Sequence, residues 1–83
     1  MRYYFNLSGV VQAPDNDGVE LSSLSEARIH AVRCASDYLR DRPEIVWLGE
    51  EFRIEVTNKS RRLLFTFVAV GVDAPAEEGR LRL

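Results

Sequence analysis

One segment constrains this chain more than any other. Ser23-Leu24-Ser25-Glu26 has the form of a capping box. In that motif the Ser23 hydroxyl takes a backbone N–H of the first turn and the Glu26 carboxylate reaches back to the cap. The helix it opens is predicted to end near Asp41, because Arg42 precedes Pro43 and is pushed out of the α region. At about 100° per residue, Leu24, Ala27, Ala31, Cys34, Ala35, Tyr38 and Leu39 share one face, with Arg33, Asp37 and Arg40 opposite. The alanines on that stripe let a helix sit close to a sheet. Ile29 falls on the polar side without a structural use. With only 83 residues, a chain holding one such helix has room for a single core, and the remaining elements must build the surface the helix packs on.

Those elements read as strands. Tyr3, Phe5 and Leu7 alternate with Tyr4, Asn6 and Ser8, the period of a half-buried strand. Gly9 breaks the pattern and Val10-Val11-Gln12-Ala13 resumes it, which predicts an N-terminal hairpin. Pro14-Asp15-Asn16-Asp17-Gly18 is turn chemistry throughout. Beyond the helix, residues 43–51 have no clean period and read as a connection whose Trp47 and Leu48 lid the core. Phe52, Ile54 and Val56 alternate with Arg53, Glu55 and Thr57; Asn58 to Arg61 is a turn. In Leu63 to Val72 the alternation fails. Leu63, Phe65 and Phe67 fall on one face, and Leu64, Val68 and Val70 on the other, with Thr66 the polar exception. The expected fold is α+β, of ββαββ type: a four-stranded, mostly antiparallel sheet with one helix across one face. Residues 1–72 form the domain and 73–83 a mobile tail. The expected core joins Tyr3, Phe5, Leu7, Phe52, Ile54, Val56, Leu63, Phe65 and Phe67 to Leu24, Ala27, Ala31, Ala35 and Tyr38.

The opening Arg2-Tyr3-Tyr4-Phe5 with Leu7, then Asp15 to Gly18 with Glu20-Leu21, Leu24 with Glu26-Ala27-Arg28, and Ile54-Glu55-Val56-Thr57 together resemble a family of short bacterial proteins. That family is abundant in rhizobia and their relatives and is catalogued as a domain of unknown function. The resemblance spans roughly residues 2–70. It implies a small intracellular α+β domain and assigns no chemistry.

Composition narrows the function classes. The net charge is −2 and the isoelectric point about 5.3, against the basic balance a nucleic-acid binder usually carries. All basic residues except Lys59 are arginine, which reads as codon bias in a GC-rich genome. A single cysteine, Cys34, excludes an intrachain disulfide and a thiol-rich zinc site. No apolar run reaches membrane-spanning length and the N-terminus lacks a signal-like core, so a cytoplasmic protein is expected.

Three constellations carry residue types capable of chemistry. Glu26, His30 and Cys34 stand at i, i+4 and i+8 on the helix, a geometry in which neighbours touch. Catalytic trios converge instead from separate elements around an oxyanion hole, and Cys34 at the edge of the apolar stripe suits a small core residue. Asp15-Asn16-Asp17-Gly18 fails as a calcium loop in either register. With Gly18 at its position, Ala13 and Leu24 stand where end ligands belong; with Glu26 as the last ligand, Val19 and Glu20 stand where a ligand and glycine belong. Lys59-Ser60-Arg61-Arg62 is a short basic cluster, with Tyr3, Tyr4 and Phe5 as possible stacking rings, but Glu50, Glu51 and Glu55 lie nearby. No enzyme, metal or cofactor is therefore expected, and neither a nucleic-acid nor a membrane partner.

Two function classes survive. One is an interaction module, a homodimer or protein adaptor using an apolar sheet face made by Tyr4, Leu64, Val68 and Val70. The other is a regulatory, nucleic-acid-linked protein resembling HicB-like antitoxin domains, whose helix opens on a Leu-Glu-Glu-Ala-type segment that Leu24-Ser25-Glu26-Ala27 loosely matches. A neighbouring toxin-like reading frame distinguishes the second from the first.

Overall fold

In the computed structural model, which describes residues 1–75, the chain forms β1 (Arg2–Gly9), β2 (Val19–Glu20), α1 (Leu24–Asp41), a 3-10 turn over Pro43–Trp47, β3 (Phe52–Thr57) and β4 (Leu63–Ala69). The four strands make one antiparallel sheet in the order β2-β1-β3-β4. This is the expected α+β, ββαββ architecture. The tail predicted from Asp73 lies, from residue 76 on, outside the described residues.

The helix starts and stops where its local chemistry requires. Ser23 Oγ accepts from the Glu26 N–H at 3.1 Å. Glu26 Oε1 in return accepts from the N–H of Ser22, one residue earlier than the capping box predicts. At the other end Arg42 leaves the helix at φ −136°, as the residue before Pro43 must. Ala27, Ala31 and Ala35 are fully buried on the face turned to β3, against Phe52, Ile54 and Val56. Fully burying each of those three β3 side chains is worth about 1.5–3 kcal/mol, so this small-to-large contact anchors the domain.

The second strand lies elsewhere than predicted. Gly9 takes φ +83°, and a Cβ there would sit on the Glu51 carbonyl, so the chain swings away as Val10 N–H bonds that same oxygen. Residues 10–13 then supply a single bridge, Leu7 to Ala13, with both N–H···O bonds made. Pro14 has no N–H to continue the ladder. At the next position along β1 the Asp15 side chain stands in for a strand, its Oδ2 accepting from Phe5 N–H at 3.0 Å. Regular pairing resumes past Gly18, with Val19 opposite Tyr3 and Glu20 opposite Arg2.

Two core expectations also change. The ladder between β3 and β4 passes from Val56–Phe65 to Thr57–Leu63, so Leu64 is the extra residue of a bulge. The bulge turns Leu63 to the face away from the helix, where it is 55% exposed, and turns Leu64 against the core. In the connection, Ile45 rather than Trp47 or Leu48 closes the core: Ile45 is 3% exposed, the other two 60% and 62%. Leu24 is likewise at the surface. The Trp47 ring lies flat against Gly71, where any Cβ would collide with it, and Gly71 N–H bonds the Val46 carbonyl at 2.8 Å. That contact straps the end of β4 to the 3-10 turn.

Candidate interface along the fourth strand

The sheet face away from the helix is two different surfaces. Over β1 and β3 it is polar and internally bonded. Asn6 donates to the Glu55 carbonyl at 2.9 Å, and its Oδ1 accepts from the Asp15 N–H. Arg53 reaches Ser8 Oγ at 3.1 Å and pairs with both Glu51 and Glu55. Tyr4 is on this face, half-buried, with the Arg61 guanidinium 5.3 Å above its ring. Over β4 the same face is apolar: Leu63, Val68 and Val70 are each about half exposed, with Thr66 between them. The structure therefore brings Val68 and Val70 together, separates them from Tyr4, and moves Leu64 to the helix side.

The helix side of β4 is also incompletely covered. Phe65 and Phe67 stand opposite Val56 and Ile54 and pack on the core, yet both stay half-buried, because the helix lies over β3. β4 is an edge strand, and Leu-Leu-Phe-Thr-Phe-Val-Ala carries no charge, proline or glycine. Exposed edges are commonly blunted by such residues. The sequence signal for this site was the failed alternation; that β4 lies at the edge could come only from the strand order.

The other constellations are taken up by structure. Asp15 is the hub of its loop: Oδ1 accepts from Asp17 and Gly18 N–H groups, each at 3.0 Å, while Oδ2 holds Phe5. Partial burial pushes its carboxyl up, but the N–H groups of Phe5, Gly18 and Asp17 and the Arg61 charge outweigh that and hold it below its ordinary 3.8. Arg61, itself at φ 66°, donates to the Asp15 carbonyl and to Asn16. Its guanidinium ties the β3–β4 turn to the Asp15 loop. Both carboxylate oxygens of Asp15 being engaged, and no group of three candidate ligands occurring among the described residues, millimolar calcium or EDTA is expected to move the melting temperature by no more than about a degree. A calcium-dependent rise of several degrees in a thermal scan would restore the loop as a cation site.

On the helix, Glu26 and His30 line an open cleft of about 290 Å³ with Leu21, Ile29 and Arg33, giving Ile29 a place on its rim. The Glu26 carboxylate is committed to the Ser22 N–H, which holds it below its usual range. The His30 ring packs at 4.6 Å on Phe5. Cys34 packs against the core, and burial, with the Asp37 and Asp15 charges, pushes its thiol up, away from the nucleophilic thiolate. Cys34 is not among the residues that line the cleft with Glu26 and His30. No helix among the described residues is long and apolar enough to cross a membrane.

Compared with known proteins, the chain matches no curated protein and no solved structure. A family model does match, over residues 2–70, a span from the start of β1 to just past β4 that includes the Asp15 loop, the capped helix and the edge strand. The chain thus belongs to the DUF6894 family, a domain of unknown function.

Proposed function

We propose that this domain is a protein-interaction module that acts as a homodimer, or as an adaptor for a protein partner, through the β4 side of its sheet. The supporting observation is an uncharged edge strand that carries apolar residues on both faces and is fully covered on neither, with Phe65 and Phe67 half-buried on the helix side and Leu63 and Val68 exposed on the other. Burying an aliphatic side chain is worth roughly 1.5–3 kcal/mol before the costs of association. Three or four such groups from each of two copies give a gross gain of roughly 9–24 kcal/mol, enough to leave a micromolar complex, on the order of −8 kcal/mol, after those costs. The reading assigns the domain no catalysis. The rest of the sheet face is occupied by its own hydrogen-bonded network, which limits the contact to β4.

Sedimentation decides the homodimer. A dimer is expected in the micromolar range, and a monomer persisting at several hundred micromolar would remove the self-association reading. Val68→Arg is expected to leave the fold intact, since Val68 stands on the outer face opposite Arg53, while weakening association by more than about tenfold. Unchanged dimerisation of a folded Val68→Arg variant would place the contact elsewhere.

A further inference from the structure

The hydrogen-bond phase of the sheet identifies which backbone groups β4 leaves free. Leu7 directs both its N–H and its carbonyl to Ala13, and Phe5 directs its N–H to Asp15, so both point away from β3. In an antiparallel ladder, residues opposite one another share that phase. Ile54 and Val56, opposite Leu7 and Phe5, therefore turn their backbone groups to β4. Their partners Phe67 and Phe65 receive them. The residues between, Thr66 and Val68, point theirs outward at the open edge. Both side chains are exposed as well, so this stretch of edge is neither paired nor covered by a neighbouring element among the described residues.

On the reading of β4 as an interaction strand, we infer that a second copy of the chain adds to it antiparallel, edge to edge, with the two-fold axis passing through Phe67. In this register Thr66 of each copy exchanges both backbone hydrogen bonds with Val68 of the other. Phe67 faces its symmetry mate, and Phe65 faces Ala69, a large residue against a small one. The pairing uses the regular stretch from Phe65 to Ala69 and avoids the bulge at Leu64. An axis through Thr66 would set the bulged Leu64, turned to the helix side, opposite the outward-facing Val68. Self-pairing meets no charge repulsion, because no residue of β4 is ionised. The axis is normal to the sheet, so both helices lie on one face of a continuous eight-stranded sheet, a count that is twice the four strands of one copy. The half-buried Phe65 and Phe67 rings are then covered on the helix side, and Val68 lies beside Thr66 of the other copy on the opposite face.

The test is amide hydrogen exchange with isotope-filtered NMR on a mixture of labelled and unlabelled full-length chains. The Thr66 and Val68 amides are expected to exchange about tenfold or more slowly in concentrated than in dilute samples. Intermolecular contacts are expected between Thr66 and Val68 and between the two Phe67 rings. A dimer by sedimentation whose Thr66 and Val68 amides exchange freely at every concentration would overturn the edge pairing and leave the interaction module standing. A monomer whose Thr66 and Val68 amides are protected at all concentrations would overturn it too, and would assign the edge to the chain's own C-terminal segment. A monomer with both amides free would remove edge pairing and self-association together.

Discussion

Replacing Phe52 with alanine is expected to lower the unfolding free energy by about 3–5 kcal/mol. Phe52 opens β3, is fully buried, and stacks on Tyr38 of the helix with ring centroids 5.4 Å apart and planes 15° apart. The neighbours cannot collapse into the space easily. On the helix side the fully buried positions are all alanine and the Tyr38 ring is rigid, and on the sheet side the backbone is fixed between β1 and β4. A domain of this size commonly has only about 5–10 kcal/mol in all, so the substitution removes a large share of its stability. Urea unfolding monitored through Trp47 and far-UV circular dichroism reads the loss. A change below about 1 kcal/mol would mean that the helix does not clamp β3 as described.

The second large effect is expected at Asp15. Its carboxylate holds three backbone N–H groups, and one of them, on Phe5, occupies a ladder position of β1 that no strand residue fills. Asp15→Ala leaves that part-buried N–H without its partner and is expected to cost about 1–3 kcal/mol, discounted for the partial solvent exposure of the carboxylate. The same contact sets a pH dependence. Because the folded carboxyl titrates below the 3.8 of an ordinary aspartate, its contribution is complete above that value and is lost as pH falls through the lower, folded value. The unmodified protein is therefore expected to lose stability below about pH 4 more steeply than Asp15→Asn. An asparagine variant with the same acid profile would show that the carboxylate charge does not hold the loop.

Most of the fold was legible because its signals are local. The capped helix needs only Ser23, Glu26 and Pro43 to define its ends, and the alanine stripe shows which face goes inward. β3 alternates cleanly, so its buried face of Phe52, Ile54 and Val56 follows from period alone. The misread parts are those where a distant group overrides a local pattern. Residues 10–13 have strand character, but Gly9 is held against the Glu51 carbonyl and the Asp15 side chain takes the next ladder position, so one bridge is all they make. Ile45 sits in a segment with no period, and a 3-10 turn aims it at the core.

The candidate interface divides along the same line. That β4 carries apolar residues on both faces could be read from residue types and spacing. That is a property of the chain itself, set by side-chain chemistry and the two-residue repeat of a strand. Tertiary pairing decided the rest. A bulge exchanged the faces of Leu63 and Leu64, because one unpaired residue shifts the alternation by half a period. Arg61 and the Asn6–Asp15 network took Tyr4 and the middle of the sheet out of the apolar surface. Strand order placed β4 at the edge, and strand order is a long-range choice made by which strands the helix and the Asp15 loop bring beside β1. No local pattern in Leu63 to Ala69 distinguishes an edge strand from a central one, since both bury apolar side chains and differ only in where their outward N–H and carbonyl groups find partners.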